Sequence, residues 1–278
     1  MTKKQKPLPP ATMKWYADAV GLPLHDQHEY TPEHPTTRMP VPEAWHDINK
    51  PLTATVTADS PLVVDHFSSF RSPYAYFAID RMAELQNTYN VQINVRMVYP
   101  IAVKNQQFFQ DAPTYRYLHD FLDSERLGKF HGIPYRFPVP DFVTQDPNTL
   151  VVSDIKPETY LLVHCAAAAQ ELGKPFQFAQ RMMHYCWDGQ TDNWMDYIED
   201  ALTQSGLDGP AVIENVKANP DKYQAIILQN EKDLRASGHG GVPNNVFRGE
   251  PFWGQDRIDV LLWRLKQNGL TRKWPLED

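Results

Sequence analysis

The chain has 278 residues, of which 42% are hydrophobic and 22% charged, with a net charge of −7. That is enough apolar material for one large or two small domains with a real core, and the acidic balance leaves no general basic field to hold nucleic acid or an anionic membrane surface. No apolar run approaches the roughly 18 to 20 residues of a membrane span, and the opening Met1-Thr2-Lys3-Lys4-Gln5-Lys6 leads into prolines rather than an apolar signal core, so the expected setting is the cytoplasm.

Residues 1–60 read as a Pro-rich extended arm, with Pro7, Pro9, Pro10, Pro23, Pro32, Pro35, Pro40, Pro42 and Pro51 and no sustained apolar period outside Met13 to Val20. Such a segment buries little by itself. Trp15, Tyr16 and Trp45 are costly to leave in water, so the arm is expected to lie across the body of the protein or a sister subunit. His25, His28 and His34 lack acidic or cysteine ligands at supporting spacing and read as solvated histidines, with no metal site.

From Pro61 the pattern becomes regular. The β-branched run Leu62 to Phe67 predicts a strand; Tyr74, Phe77, Ala78, Arg81, Met82 and Leu85 then fall at helical spacing, predicting a helix to about Tyr89. Val91 to Val98 alternates with period two, as a strand with one covered face does. A β-α-β crossover of this kind implies two parallel strands.

Helices are predicted over Thr114 to Phe130, Pro157 to Leu172 with Gly173 as its stop, Phe176 to Trp187, Trp194 to Thr203 and Asp221 to Ser237, with a rigid extended break at Pro134 to Pro140. Their aromatic and Met stripes read as core. Cys165 and Cys186 sit among apolar neighbours on two of these helices, in neither CxxC nor metal-ligand spacing, and read as buried reduced thiols. Val242 to Phe247 and Pro251-Phe252-Trp253, joined by Arg248-Gly249-Glu250, predict a hairpin, and Asp256 to Gln267 a closing helix.

The order is thus β-α-β, a helical block, then α-β-β-α. This predicts an α/β, thioredoxin-like fold: residues 61–98 and 221–270 forming a discontinuous domain, residues 99–220 an all-helical insertion, and the arm before them. In such a fold the N-terminus of the first helix meets the loop before the third strand. Here those are Ser72-Pro73-Tyr74-Ala75 and Gly241-Val242-Pro243, the latter where the fold places a cis proline.

Ser72 stands at a helix N-cap and Pro73 at the first helical position. A capping serine is the plainer reading of this stretch alone; a helix N-terminus also carries partial positive charge and can help hold an anion. Ser72 and Ala75 occupy the places of the cysteines in a CxxC, so disulfide exchange is excluded there. Gly254-Gln255-Asp256-Arg257 opens the last helix, where Asp256 reads as a cap with an arginine partner or as a group facing the same groove.

Ser69-Phe70-Arg71-Ser72-Pro73-Tyr74-Ala75-Tyr76-Phe77-Ala78, together with Gly241-Val242-Pro243 and Gly249 to Arg257, resembles the two signature segments of the 2-hydroxychromene-2-carboxylate isomerase family. Kappa-class glutathione transferases belong to the same branch of the DsbA-like thioredoxin superfamily. Tyr117, Asp120 and Gly132-Ile133-Pro134-Tyr135 resemble the family's helical insertion, and the likeness covers about residues 62–268.

The resemblance implies a glutathione-dependent isomerase of an aromatic or conjugated carbonyl compound, acting on a small molecule as a homodimer. By it, Ser72 stabilises the glutathione thiolate, Val242 and Pro243 meet the cysteinyl part, and Gln255 and Asp256 bind the γ-glutamyl end. Arg71, Tyr74, Asn105, His239 and Asn244 line or border the expected groove and are the substrate-side candidates, Arg71 or His239 as partner of a carboxylate. The rival readings are a glutathione S-transferase or lyase and, from another class, a non-catalytic DsbA-like binding or assembly protein.

Overall fold

A computed structural model of the chain describes residues 55–105, 108–111, 114–146 and 148–274. The arm with Trp15, Tyr16, Trp45 and the three histidines lies outside the described residues. So does the side chain of Tyr117.

Strand β1 (Leu62–Ser68) runs parallel to β2 (Val91–Met97), with helix α1 (Pro73–Thr88) as the crossover. Strands β5 (Asn244–Phe247) and β6 (Glu250–Trp253) form a hairpin, and β5 pairs antiparallel with β1, giving the order β2-β1-β5-β6. The alternation in β1 and β2 sorts their side chains. Leu62, Val64, Ile93, Val95 and Met97 enter the main core with α1, whereas Phe67 packs with Val98 and Leu234 on the other face. Helix α1 starts as its sequence dictates, Ser72 capping the Ala75 N–H and Pro73 needing no donor. It buries Tyr76, Phe77, Ile79, Met82 and Leu85, each side chain contributing about 1.5–3 kcal/mol.

Between β2 and β5 the chain forms short turns of helix α2 (Ile101–Lys104) and α3 (Phe108–Asp111), then α4 (Thr114–His131), α5 (Pro157–Glu171), α6 (Pro175–Trp187), α7 (Ile198–Gln204), α8 (Gly209–Ala218) and α9 (Pro220–Ala236). Helix α5 is central: Ala166, Ala167, Ala168 and Ala169 are all buried, and side chains this small let neighbouring helices approach closely. Trp187 of α6 stacks between Tyr76 of α1 and Tyr135, at 6.3 and 5.7 Å between ring centroids, and so joins the helical block to the sheet layer.

Three expectations are corrected. The insertion is not all helical, because β3 (Val143–Gln145) and β4 (Val152–Ile155) form an antiparallel hairpin whose Val143 and Val152 pack on Ala102. The helix expected over Trp194 to Thr203 opens as a 3₁₀ turn, Trp194–Tyr197, capped by Asn193, before α7 begins. The last helix likewise opens with a 3₁₀ turn, Gln255–Arg257, and becomes α10 over Ile258–Gln267. Helix α8, capped by Asp208 with Pro210 in its first turn, was not anticipated because its apolar stripe is short. Cys165 and Cys186 are free and buried, as expected. Burial pushes the Cys165 thiol up to about 12 and the Cys186 thiol well above its usual value. Among the described residues no helix is long and apolar enough to cross a membrane.

Candidate active site

The turn Ser69–Ser72 leaves the end of β1 and delivers Ser72 to the N-terminus of α1. Ser72 N–H donates to Ser69 O at 3.0 Å, and Ser72 Oγ accepts the Ala75 N–H at 3.3 Å. The hydroxyl proton has no acceptor among the described residues, so the half-buried Ser72 retains an unused donor at the positive end of a 16-residue helix.

The loop before β5 lies at the same end of the sheet. The pairing of β1 with β5 ends at Phe67 and Asn244, just inside the Ser69–Ser72 turn on one strand and Val242–Pro243 on the other. The Val242–Pro243 bond is cis, as the fold predicts. The backbone N–H and C=O of Val242 are unpaired among the described residues.

The start of α10 forms a further wall. Gly254 has φ of 107°, a backbone conformation suited to glycine, and its N–H donates to Pro243 O at 2.9 Å, tying this turn to the proline loop. Gln255 is 8% exposed and is gripped by Arg81 of α1, which donates to its carbonyl oxygen at 2.7 Å and to its Oε1 at 3.3 Å. Asp256 is exposed and takes Arg257 Nη1 at 2.6 Å. Gln255 is therefore a buried support, while Asp256 keeps open acceptor capacity.

The substrate-side candidates separate. Tyr74 is half-buried and donates to Asp123 Oδ2 at 3.0 Å; burial and then that bond push its pKa up, so it stays a phenol. Asn105 is exposed at the end of α2, on the rim beyond β2. His239 stacks on the half-exposed Trp253, 4.3 Å between centroids, and its Nδ1 accepts the Gly241 N–H at 3.0 Å, which leaves Nε2 to carry the ring hydrogen.

Arg71 and Asn244 are corrections. Arg71 Nε and Nη2 each donate at 2.8 Å to the two oxygens of Asp141, and the side chain is 7% exposed, so its charge is already neutralised. Asn244 is fully buried in β5 and donates to Ser237 Oγ at 3.3 Å, so its side chain is not open to a ligand. A single sequence conceals both facts, since one depends on a carboxylate 70 positions away and the other on which face of the sheet is covered.

Sequence reasoning also passed over residues that the geometry brings in. His66 is fully buried on β1, Nδ1 against Asn245 Oδ1 at 2.7 Å, and burial lowers its pKa to about 4. Its signal was a histidine next to Asp65 inside an otherwise apolar strand. Glu231 accepts the Tyr99 N–H at 3.1 Å and Lys104 Nζ at 2.9 Å, bracing the exit of β2. Tyr99 Oη and His164 Nε2 meet at 2.7 Å behind it.

A β-α-β unit joined to a β-β-α unit, with a capped helix end and a cis-proline loop at the same end of the sheet and a largely helical segment inserted between, defines a thioredoxin-like protein. The DSBA-like thioredoxin domain model matches residues 63–266, and the chain belongs to that family. Similar solved structures include 2-hydroxychromene-2-carboxylate isomerase, at TM-score 0.54 and 19% identity over 74% of this chain and 95% of that one. A probable DsbA oxidoreductase from Streptomyces coelicolor gives 0.53 and 15% over 78% and 93%. At these identities the likeness is one of fold. The search of curated proteins gives no match.

Proposed function

We propose that the protein is a glutathione-dependent isomerase of an aromatic or otherwise conjugated carbonyl small molecule, working in the cytoplasm as a homodimer. The observation that carries this reading is the unused Ser72 hydroxyl proton at the N-terminus of α1, at the same end of the sheet as the unpaired backbone of Val242. A dithiol exchanger needs cysteines at this helix end, and Ser72 and Ala75 stand there instead.

The residues present suit glutathione. Ser72 would donate to its sulfur and, with the helix end, favour the ionised form. Val242 would pair with its cysteinyl backbone, with Pro243 alongside, as one strand edge pairs with another. The carboxylate of Asp256 would take the ammonium of the γ-glutamyl end, and Gln255, held by Arg81, would keep that carboxylate in place. Bound glutathione supplies a thiolate nucleophile and leaves unchanged. Ser72 acts as a donor to that sulfur and needs no histidine base of its own. On the substrate side, Tyr74, Asn105 and His239 remain the candidates.

Calorimetry with glutathione at millimolar concentration tests the reading, with clear binding as the expected result. Absence of binding removes both the isomerase and a glutathione transferase, leaving the non-catalytic binding protein. Mass balance then separates the enzymes: an isomerase leaves total glutathione constant during turnover, whereas a transferase consumes it.

A further inference from the structure

The turn that carries Ser72 is gripped from the helical segment at two consecutive residues. Trp187 Nε1 of α6 donates to Phe70 O at 2.7 Å. Arg71 makes the bidentate pair with Asp141, and its Nη2 also donates to Gln145 Oε1 of β3 at 2.8 Å, with the Phe109 ring 5.3 Å from Cζ. At 7% exposure this side chain has exchanged nearly all its water for one carboxylate and one amide oxygen.

Asp141 is itself rigidly founded. Its Oδ1 accepts the Phe142 N–H at 2.7 Å, Phe142 stacks on Trp194 at 4.6 Å, and Trp194 Nε1 donates to Pro140 O at 2.7 Å. Thr159 Oγ1 donates to Phe142 O at 2.6 Å. None of these contacts is to Ser72. They fix the residue directly before it in the same turn.

We propose that Asp141 is a positioning residue of the site, acting through Arg71 to fix the Ser69–Ser72 turn and with it the Ser72 hydroxyl. Without the carboxylate, the guanidinium is a buried unpaired charge that escapes by swinging toward water, and Ser72 moves with it. An ion pair of purely structural worth behaves otherwise: replacing both partners by apolar side chains of similar volume restores stability and leaves the serine unaffected. The thiolate part of the test rests on the glutathione reading above; the amide part does not.

The variants are Asp141→Asn and the double replacement Arg71→Met with Asp141→Leu. The readouts are the melting temperature, hydrogen exchange of the Ala75 amide in the ligand-free protein, and the pH midpoint of thiolate absorbance from bound glutathione. The double variant should melt close to wild type, exchange at Ala75 about tenfold faster or more, and raise the midpoint by about one pH unit; Asp141→Asn, which leaves the guanidinium unpaired, should show the same exchange and midpoint changes and melt clearly below wild type. Wild-type exchange at Ala75 in the double variant overturns the proposal, and if that variant does not fold, the same result in Asp141→Asn does so. Faster exchange in a protein whose wild type binds no glutathione upholds the positioning and removes the isomerase reading. Normal glutathione binding with exchange and midpoint both unchanged removes the positioning and leaves that reading standing.

Discussion

His66 Nδ1 and Asn245 Oδ1 meet at 2.7 Å across β1 and β5, both residues fully buried. With the amide oxygen accepting, Nδ1 carries the hydrogen and Nε2 is a bare acceptor, without a partner among the described residues. Protonating Nε2 would place a charge where no carboxylate answers it, and burial accordingly lowers the pKa from 6.5 to about 4. The unfolded chain therefore binds this proton more readily than the folded one between those values, and stability falls as pH drops through that window. The full effect is roughly 3 kcal/mol, present above pH 6.5 and gone below 4. His164, also lowered by burial, acts in the same direction, while His184, raised chiefly by its bond to Asp80, is stabilising below its unfolded value and loses that as pH rises. Urea unfolding from pH 7 to 4 should show this acid limb, and His66→Gln should flatten much of it. An equally steep decline in the variant would assign the sensitivity to other groups.

Ser72 was legible in the sequence because an N-cap is a local signal: Ser, then Pro, then apolar residues at helical spacing. The β-α-β unit and the closing hairpin were legible for the same reason, period and turn chemistry being properties of neighbours. Arg71 was not, because a charge looks available until its partner is known, and Asp141 reaches it only after the chain has passed through α4. The two asparagines after Pro243 likewise gave no sign that both are fully buried, one toward Ser237 and the other toward His66. The short hairpin β3–β4 escaped notice because strands of three and four residues carry too little alternation to read.

Replacing Ser72 by alanine separates its two roles. The cap bond to the Ala75 N–H contributes about 1 kcal/mol, a small loss for a domain with this much buried apolar surface. The hydroxyl proton is the only part that would face a bound sulfur, and removing one such donor typically slows chemistry by ~10²–10³. Ser72→Ala should therefore melt within a few degrees of wild type while kcat at saturating glutathione collapses; an undiminished kcat would refute the serine's catalytic role.

Arg81 sits nine residues along α1 from Ser72, yet its contacts are with the opposite end of the groove, where it holds Gln255 and reaches Asp259 at 3.2 Å. Arg81→Met keeps the aliphatic packing and removes the donors. Because the support is charge-assisted, its loss should weaken glutathione binding by about tenfold while the thiol pKa at Ser72 stays unchanged. Calorimetry paired with a thiolate titration makes the comparison, and a shifted thiol pKa would show that Arg81 acts on the serine end as well.

Gly254 offers the sharpest test of how the Asp256 wall is made. At φ of 107° a side chain is strained whatever the space, and here a Cβ would also overlap Asp256 Oδ1. Gly254→Ala must therefore either distort the turn or expel the carboxylate, at a cost of about 1–3 kcal/mol. The Gly254 N–H bond to Pro243 O passes the distortion to the loop that carries Val242. Stability and glutathione affinity should consequently fall together in this variant, whereas Asp256→Asn, which leaves the backbone alone, should lower affinity only. If Gly254→Ala loses stability but binds glutathione as wild type does, then neither Asp256 nor the proline loop holds the ligand, and its recognition would have to lie on the Tyr74 side of the groove.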